Sequence, residues 1–135
     1  MKLGIIGAME KEVALLKDHL EHTHTRIHAG MEFWEGILEG CPVVVVRCGV
    51  GKVNAAACTQ VLADLFQVDG IVNTGIAGAL DPRLDIGDFV ISTDAMYSDF
   101  TVAALGLTPG QVPHMDVLAF PVDERLAACA EDACK

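Results

Sequence analysis

Positive charge is scarce in this sequence: 9 Lys and Arg stand against 19 Asp and Glu, a formal net charge of -10. Such a surface repels phosphate backbones and anionic lipid headgroups, so nucleic acid and membrane are disfavoured as partners and small-molecule chemistry is favoured. Most of the acidity simply promotes solubility. Long hydrophobic runs are missing too. The opening Met1-Lys2-Leu3-Gly4-Ile5-Ile6-Gly7 pairs a basic residue with an apolar run, but Glu10 and Glu12 interrupt it before it reaches the length of a signal-peptide core or a membrane helix. A cytoplasmic protein is expected.

Paired cysteine spacing is also absent. Cys41, Cys48, Cys58, Cys129 and Cys134 are odd in number and form no C-x-x-C, which argues against a disulfide framework and a zinc site. Reduced thiols are expected. His19, His22, His24 and His28 lie close in sequence but lack a companion Cys or carboxylate pattern, so they read as a solvated helix end and no metal is expected. Phosphate-loop patterns fail as well. Around Gly49-Val50-Gly51-Lys52, Val46 and Val53 stand where a Walker loop needs glycine and a hydroxyl residue, and Asn54 stands where a dinucleotide fingerprint needs its third glycine. With no repeats, linkers or low-complexity segments, and 52% hydrophobic residues, residues 1–135 read as a single domain with one ordinary core.

What is present is an alternation of strands and helices. Leu3 to Gly7 reads as a short buried strand, followed by a helix with Val13, Leu16 and Leu20 at helical spacing behind an acidic first turn. Met31 to Leu38 and Pro42 to Arg47 read as strands joined by a hairpin at Glu39-Gly40-Cys41. Lys52 to Phe66 reads as a helix, Gly70 to Thr74 as a buried strand, Ile86 to Thr93 as a further strand, and Val122 to Cys134 as a last helix. Asp99 to Val117, broken by Gly106, Pro109, Gly110 and Pro113, reads as a long loop, of a length usually functional or covered by a partner. The expected fold is α/β, three layers α/β/α around a central mixed sheet covered on both faces.

Such sheets place ligands at the carboxyl ends of their strands, which here selects the turns at 7–12, 48–52 and 75–78. Glu10 and Glu12 fall in the first turn of a helix, where a carboxylate is stabilised by the helix dipole. They read either as a helix start or, if one faces a pocket, as an ionised group suited to take a proton from water and to stabilise positive charge on a ribosyl ring. Gly49 and Gly51 allow a tight turn or close approach to a ligand. Gly75-Ile76-Ala77-Gly78 is a plain turn or a smooth surface for a planar base.

Taken together, Gly4-Ile-Ile-Gly-Ala-Met-Glu-Lys-Glu-Val13, Gly49-Val-Gly-Lys-Val-Asn-Ala-Ala-Ala57, Asn73-Thr-Gly-Ile-Ala-Gly-Ala-Leu80, Gly87-Asp-Phe-Val-Ile-Ser92 and Gly110-Gln-Val-Pro113 resemble the 5′-methylthioadenosine/S-adenosylhomocysteine nucleosidase family of the nucleoside phosphorylase and nucleosidase superfamily. The resemblance runs in order along essentially all 135 residues. It implies a phosphorylase/hydrolase-like fold, hydrolysis of the bond between adenine and a 5′-thio-substituted ribose, no metal or organic cofactor, and a homodimer. Glu12 matches the family's water-activating glutamate. Ala8 and Met9 would line the ribose side, Val50 would touch the 5′-alkylthio group, and Ala77 with Gly78 would pack on the purine. Val102, Leu105 and Pro113 would complete the neighbouring subunit's 5′ pocket. Ile76 stands where the family often has serine, and Tyr97 to Leu105 departs from its usual pattern. The family's later segment, with its base-stacking aromatic, Met-Glu pair, arginine and general-acid aspartate, has no counterpart here, so the chain reads as an apparently truncated, N-terminal portion of that fold. The alternatives are a phosphorylase or hydrolase for another purine nucleoside, such as futalosine, and a catalytically inactive nucleoside-binding fragment.

Overall fold

A computed structural model describes residues 1–135, which fall into two compact units, Met1–Gly78 and Ala79–Lys135. The first unit runs β1 (Leu3–Gly7), α1 (Glu10–Asp18), β2 (Glu21–His28), β3 (Met31–Leu38), β4 (Cys41–Arg47), α2 (Lys52–Asp64) and β5 (Gly70–Asn73). Its sheet has the order β2-β3-β4-β1-β5. β1 lies parallel to β4, from Leu3↔Val43 to Gly7↔Arg47, and parallel to β5, from Leu3↔Gly70 to Ile6↔Asn73. β2, β3 and β4 form an antiparallel meander. The sheet is therefore mixed, as expected.

The valine run makes β4 an interior strand with both faces covered, which is why Val43 to Val46 show no polar alternation and are all buried. Val44 and Val46 point with Ile6, Met31 and Phe33 toward Cys58 and Leu62 of α2, while Val43 and Val45 pack with Val13 and Leu16 of α1. A helix on each face gives the three-layer arrangement. Phe66, just after α2, stacks on Phe33 with ring centroids 4.9 Å apart, and the Arg26 guanidinium carbon lies 4.1 Å from the centroid of the Phe66 ring. Phe66→Leu stays apolar but removes the ring and its interactions with Phe33 and Arg26, so equilibrium denaturation should show a loss of about 1 kcal/mol or more.

The sequence reading missed β2. It is an edge strand whose Glu21-His-Thr-His-Thr-Arg-Ile-His28 carries almost no apolar alternation, with a register irregularity between Glu21 and His24 and His22 at φ 53°. A polar, bulged edge protects a sheet from pairing with other chains, and the same polarity hides it from a pattern search. His22, His24 and His28 thus lie on a strand, and only His19 caps the helix end expected for all four. No group of three or more His, Cys, Asp or Glu converges on a metal-sized site.

The second unit pairs β6 (Asp94–Ala95) with β7 (Phe120–Pro121), and contains a 3-10 turn at Ala103–Leu105 and α3 (Glu124–Ala133), capped by the Asp123 carboxylate. The strand expected at Ile86 to Thr93 is not formed; Ile86, Phe89 and Val90 are exposed and the chain turns at Gly87, φ 102°. Apolar content suits a segment to a sheet, but a strand also needs a continuous ladder to a neighbouring backbone, and here the backbone bonds are isolated ones, Asp88 N–H to the Asp85 carbonyl and Val122 N–H to the Thr93 carbonyl. The 99–117 segment is irregular apart from its 3-10 turn. It is fastened by Gly110, whose N–H donates to the Phe100 carbonyl at 2.7 Å and whose missing Cβ leaves room for the Tyr97 carbonyl. No helix of the chain is long and apolar enough to cross a membrane.

Candidate active site

In the first unit, the carboxyl ends of β1, β4 and β5 are adjacent because the three strands pair side by side in parallel. The three selected turns therefore gather at one edge. Glu12 joins two of them. One carboxylate oxygen, Oε2, accepts the Met9 N–H at 2.8 Å at the start of α1, and Oε1 accepts the Ile76 N–H at 3.2 Å from the turn after β5. The two readings of Glu12, helix cap and site carboxylate, thus meet in one side chain. Its neighbours were chosen for space. A Cβ on Gly75 would stand 2.6 Å from Oε1 of Glu12, and one on Gly7 would stand 2.6 Å from Val13.

Backbone N–H donation from Met9 and Ile76, with a smaller share from Ala8, holds the Glu12 carboxyl below its ordinary range, outweighing the opposing effect of partial burial. Glu12 is therefore ionised at neutral pH and can accept a proton. A carboxyl whose folded-state value is depressed adds stability above its unfolded value, the ordinary 4.5, and loses it as pH falls through the folded value. The stability difference between the wild type and Glu12→Gln should be full at neutral pH and shrink as pH falls below that point. Urea unfolding from pH 7 to pH 3 checks this without any need for turnover.

The turn after β4 contributes a cleft of about 460 Å³. Ala8, Met9 and Glu10 line it from the first turn, Arg47 and Val50 from the second, and Asn54 from the start of α2, with the β2–β3 turn alongside. Gly49 (φ 88°) and Gly51 (φ 102°) turn the chain where other residues would be strained, and Asn54 Nδ2 donates to the Val50 carbonyl at 2.8 Å, locking that turn. Cys48 also lies on the cleft. Burial pushes its thiol up and the nearby Glu12 charge adds to the effect, while burial pushes Cys58 up to about 12.

Among the residues selected from sequence, Ala8, Met9 and Val50 share the cleft, and Glu12 is bonded to Ile76 beside it. Ala77 and Gly78 follow on the exposed turn after β5. Val102, Leu105 and Pro113 belong to the second unit, where Val102 precedes the 3-10 turn, Leu105 is exposed and Pro113 is half-buried. Sequence reasoning missed Arg47 and assigned Asn54 only a negative role. The register Gly7↔Arg47 brings this cation to the first turn from 40 positions away, 3.7 Å from Glu10. The available signal was a charge ending an otherwise apolar strand.

The model of the phosphorylase superfamily matches residues 2–135. The chain belongs to the phosphorylase superfamily. Within the superfamily it is 48% identical over 128 residues to the 5′-methylthioadenosine/S-adenosylhomocysteine nucleosidase of Colwellia psychrerythraea, a match covering 95% of this chain and 53% of that protein. The solved structure of a nucleosidase of that name from the same organism, in complex with adenine, superposes with a TM-score of 0.94 at 47% identity, covering 98% of this chain and 54% of that one. The Neisseria meningitidis nucleosidase in complex with methylthio-immucillin-A gives 0.95 at 37% identity, covering 98% and 57%. The chain thus spans about half the length of the relatives it matches.

Proposed function

We propose that this protein hydrolyses the N-glycosidic bond of 5′-methylthioadenosine and S-adenosylhomocysteine, releasing adenine and the 5′-thioribose product. The observation that carries the reading is the Glu12 carboxylate, kept ionised by backbone N–H groups where the turns after β1 and β5 meet. The likeness to nucleosidases seen with adenine and with a methylthio-immucillin supports the substrate class.

In this reading the C1′–N9 bond breaks with its electron pair going to adenine, which takes up a solvent proton at N7, balanced when Glu12 returns its proton to solvent, and a cationic ribosyl group develops. Water adds its oxygen to C1′ and gives its proton to Glu12; the carboxylate also stabilises the ribosyl cation as it forms. Ala8 and Met9 flank the ribose, Val50 meets the 5′-thio group, and Ile76, Ala77 and Gly78 border the base. Asp123 and Asp132, engaged with α3's first turn and with Lys135, are not assigned the adenine proton. We further assign the protein to the cytoplasm, to methionine salvage, and to a homodimer in which Val102, Leu105 and Pro113 complete a neighbouring subunit's 5′ pocket.

Purified protein should release adenine from 5′-methylthioadenosine in phosphate-free buffer, followed by chromatography. Release that requires phosphate would make the reaction phosphorolysis, and no release from either nucleoside would overturn the proposal.

A further inference from the structure

One charged pair on the cleft takes no part in the reaction above. Arg47 ends β4 and Glu10 opens α1; Nε of Arg47 stands 3.7 Å from Oε2 of Glu10, and the two side chains are 59% and 51% exposed. Glu10 is bound more closely by Lys17, whose Nζ donates to its two oxygens at 2.9 and 3.1 Å. Two cations therefore share one carboxylate. At 3.7 Å the Arg47–Glu10 contact is an ion pair rather than a hydrogen bond, so the guanidinium keeps donors for another acceptor. Its planar fork matches a carboxylate. Both residues line the cleft that also holds Met9 and Val50.

We propose that Arg47 and Glu10 form a specificity pair that reads the α-amino-acid end of a long 5′-thio substituent, with Arg47 taking its carboxylate and Glu10 its ammonium group. The inference rests on the nucleosidase reading and deepens it. A 5′-methylthio group ends in a methyl and offers neither charge a partner. The homocysteine tail ends in a carboxylate and an ammonium on one carbon, a dipole of the same scale as the 3.7 Å pair facing it. No covalent bond changes at this pair. Because it is exposed, water and salt screen it, and it discriminates by about fivefold rather than absolutely.

The test is calorimetric binding of S-adenosylhomocysteine and 5′-methylthioadenosine to the full chain, carrying Glu12→Gln so that neither ligand is consumed. Adding Arg47→Met should lower the preference for S-adenosylhomocysteine over 5′-methylthioadenosine about fivefold. Arg47→Lys should restore most of it, and raising the salt should erode it when Arg47 is present but not in Arg47→Met. Equal weakening of both ligands, or of neither, would overturn the pair's role and leave the nucleosidase reading standing. Inorganic phosphate binding that vanishes in Arg47→Met while the nucleoside preference stays put would assign Arg47 to phosphate instead. If neither nucleoside binds this variant or the wild type, the nucleosidase reading fails and the inference fails with it.

Discussion

Glu12→Gln is expected to reduce adenine release from 5′-methylthioadenosine by about a thousandfold, in the middle of the range for loss of a positioned general base. The amide has nearly the same shape but cannot take a proton from water and carries no charge to offset the ribosyl cation. It also fits the local hydrogen bonds badly. Both Glu12 oxygens accept backbone N–H groups, from Met9 and Ile76, and glutamine must present an NH2 group to one of them. The loss should fall mainly on kcat, since the interactions removed belong to the transition state. Single-turnover measurement of adenine release, beside circular dichroism to confirm the fold, separates chemistry from unfolding. A variant that remains folded and retains near wild-type turnover would remove Glu12 from the mechanism.

The second large effect is expected at Gly75, a residue with no functional group. A methyl there would lie 2.6 Å from Oε1 and 3.0 Å from the carboxyl carbon of Glu12, closer than real Cβ contacts allow. Either the carboxylate swings away from the Ile76 N–H or the turn after β5 retreats. Both outcomes displace the base from the geometry in which it meets water, and a displacement of about 1 Å can cost about a hundredfold in rate. Gly75→Ala should therefore lose about that much activity. The Glu12 carboxyl should also titrate closer to its ordinary range, because one of the N–H groups depressing it is lost. Steady-state kinetics together with side-chain carboxyl NMR titration tests both consequences. Full activity with an unmoved titration would show that the turn tolerates the methyl and that Gly75 is there for some other reason.

The site was legible wherever a turn carried its own signature. Gly49 and Gly51 are needed because the chain takes positive φ there, and that requirement shows in the sequence as glycine. Glu12 could be read as a helix-start carboxylate from its position alone. Arg47 could not be singled out in the same way, since its importance comes from parallel pairing of β4 with β1, a contact between segments 40 positions apart. The polar edge strand β2 was missed because its backbone pairing is supplied by β3 and leaves no apolar period in its own residues. The opposite error occurred at Ile86 to Thr93, where apolar residues suggested a strand but no strand ladder forms: Ile86, Phe89 and Val90 stay exposed.

By itself the sequence determined the local elements with a strong internal period, the buried valine strand, the glycine turns and the acidic start of α1, because propensity, burial pattern and backbone sterics act over a few residues. Only the tertiary structure decided that Glu12 would be gripped from both β1 and β5, that Arg47 would face Glu10, and which apolar segment would go without a sheet. Those outcomes depend on strand order and register, which bring together groups far apart in the chain and which no short stretch of sequence encodes.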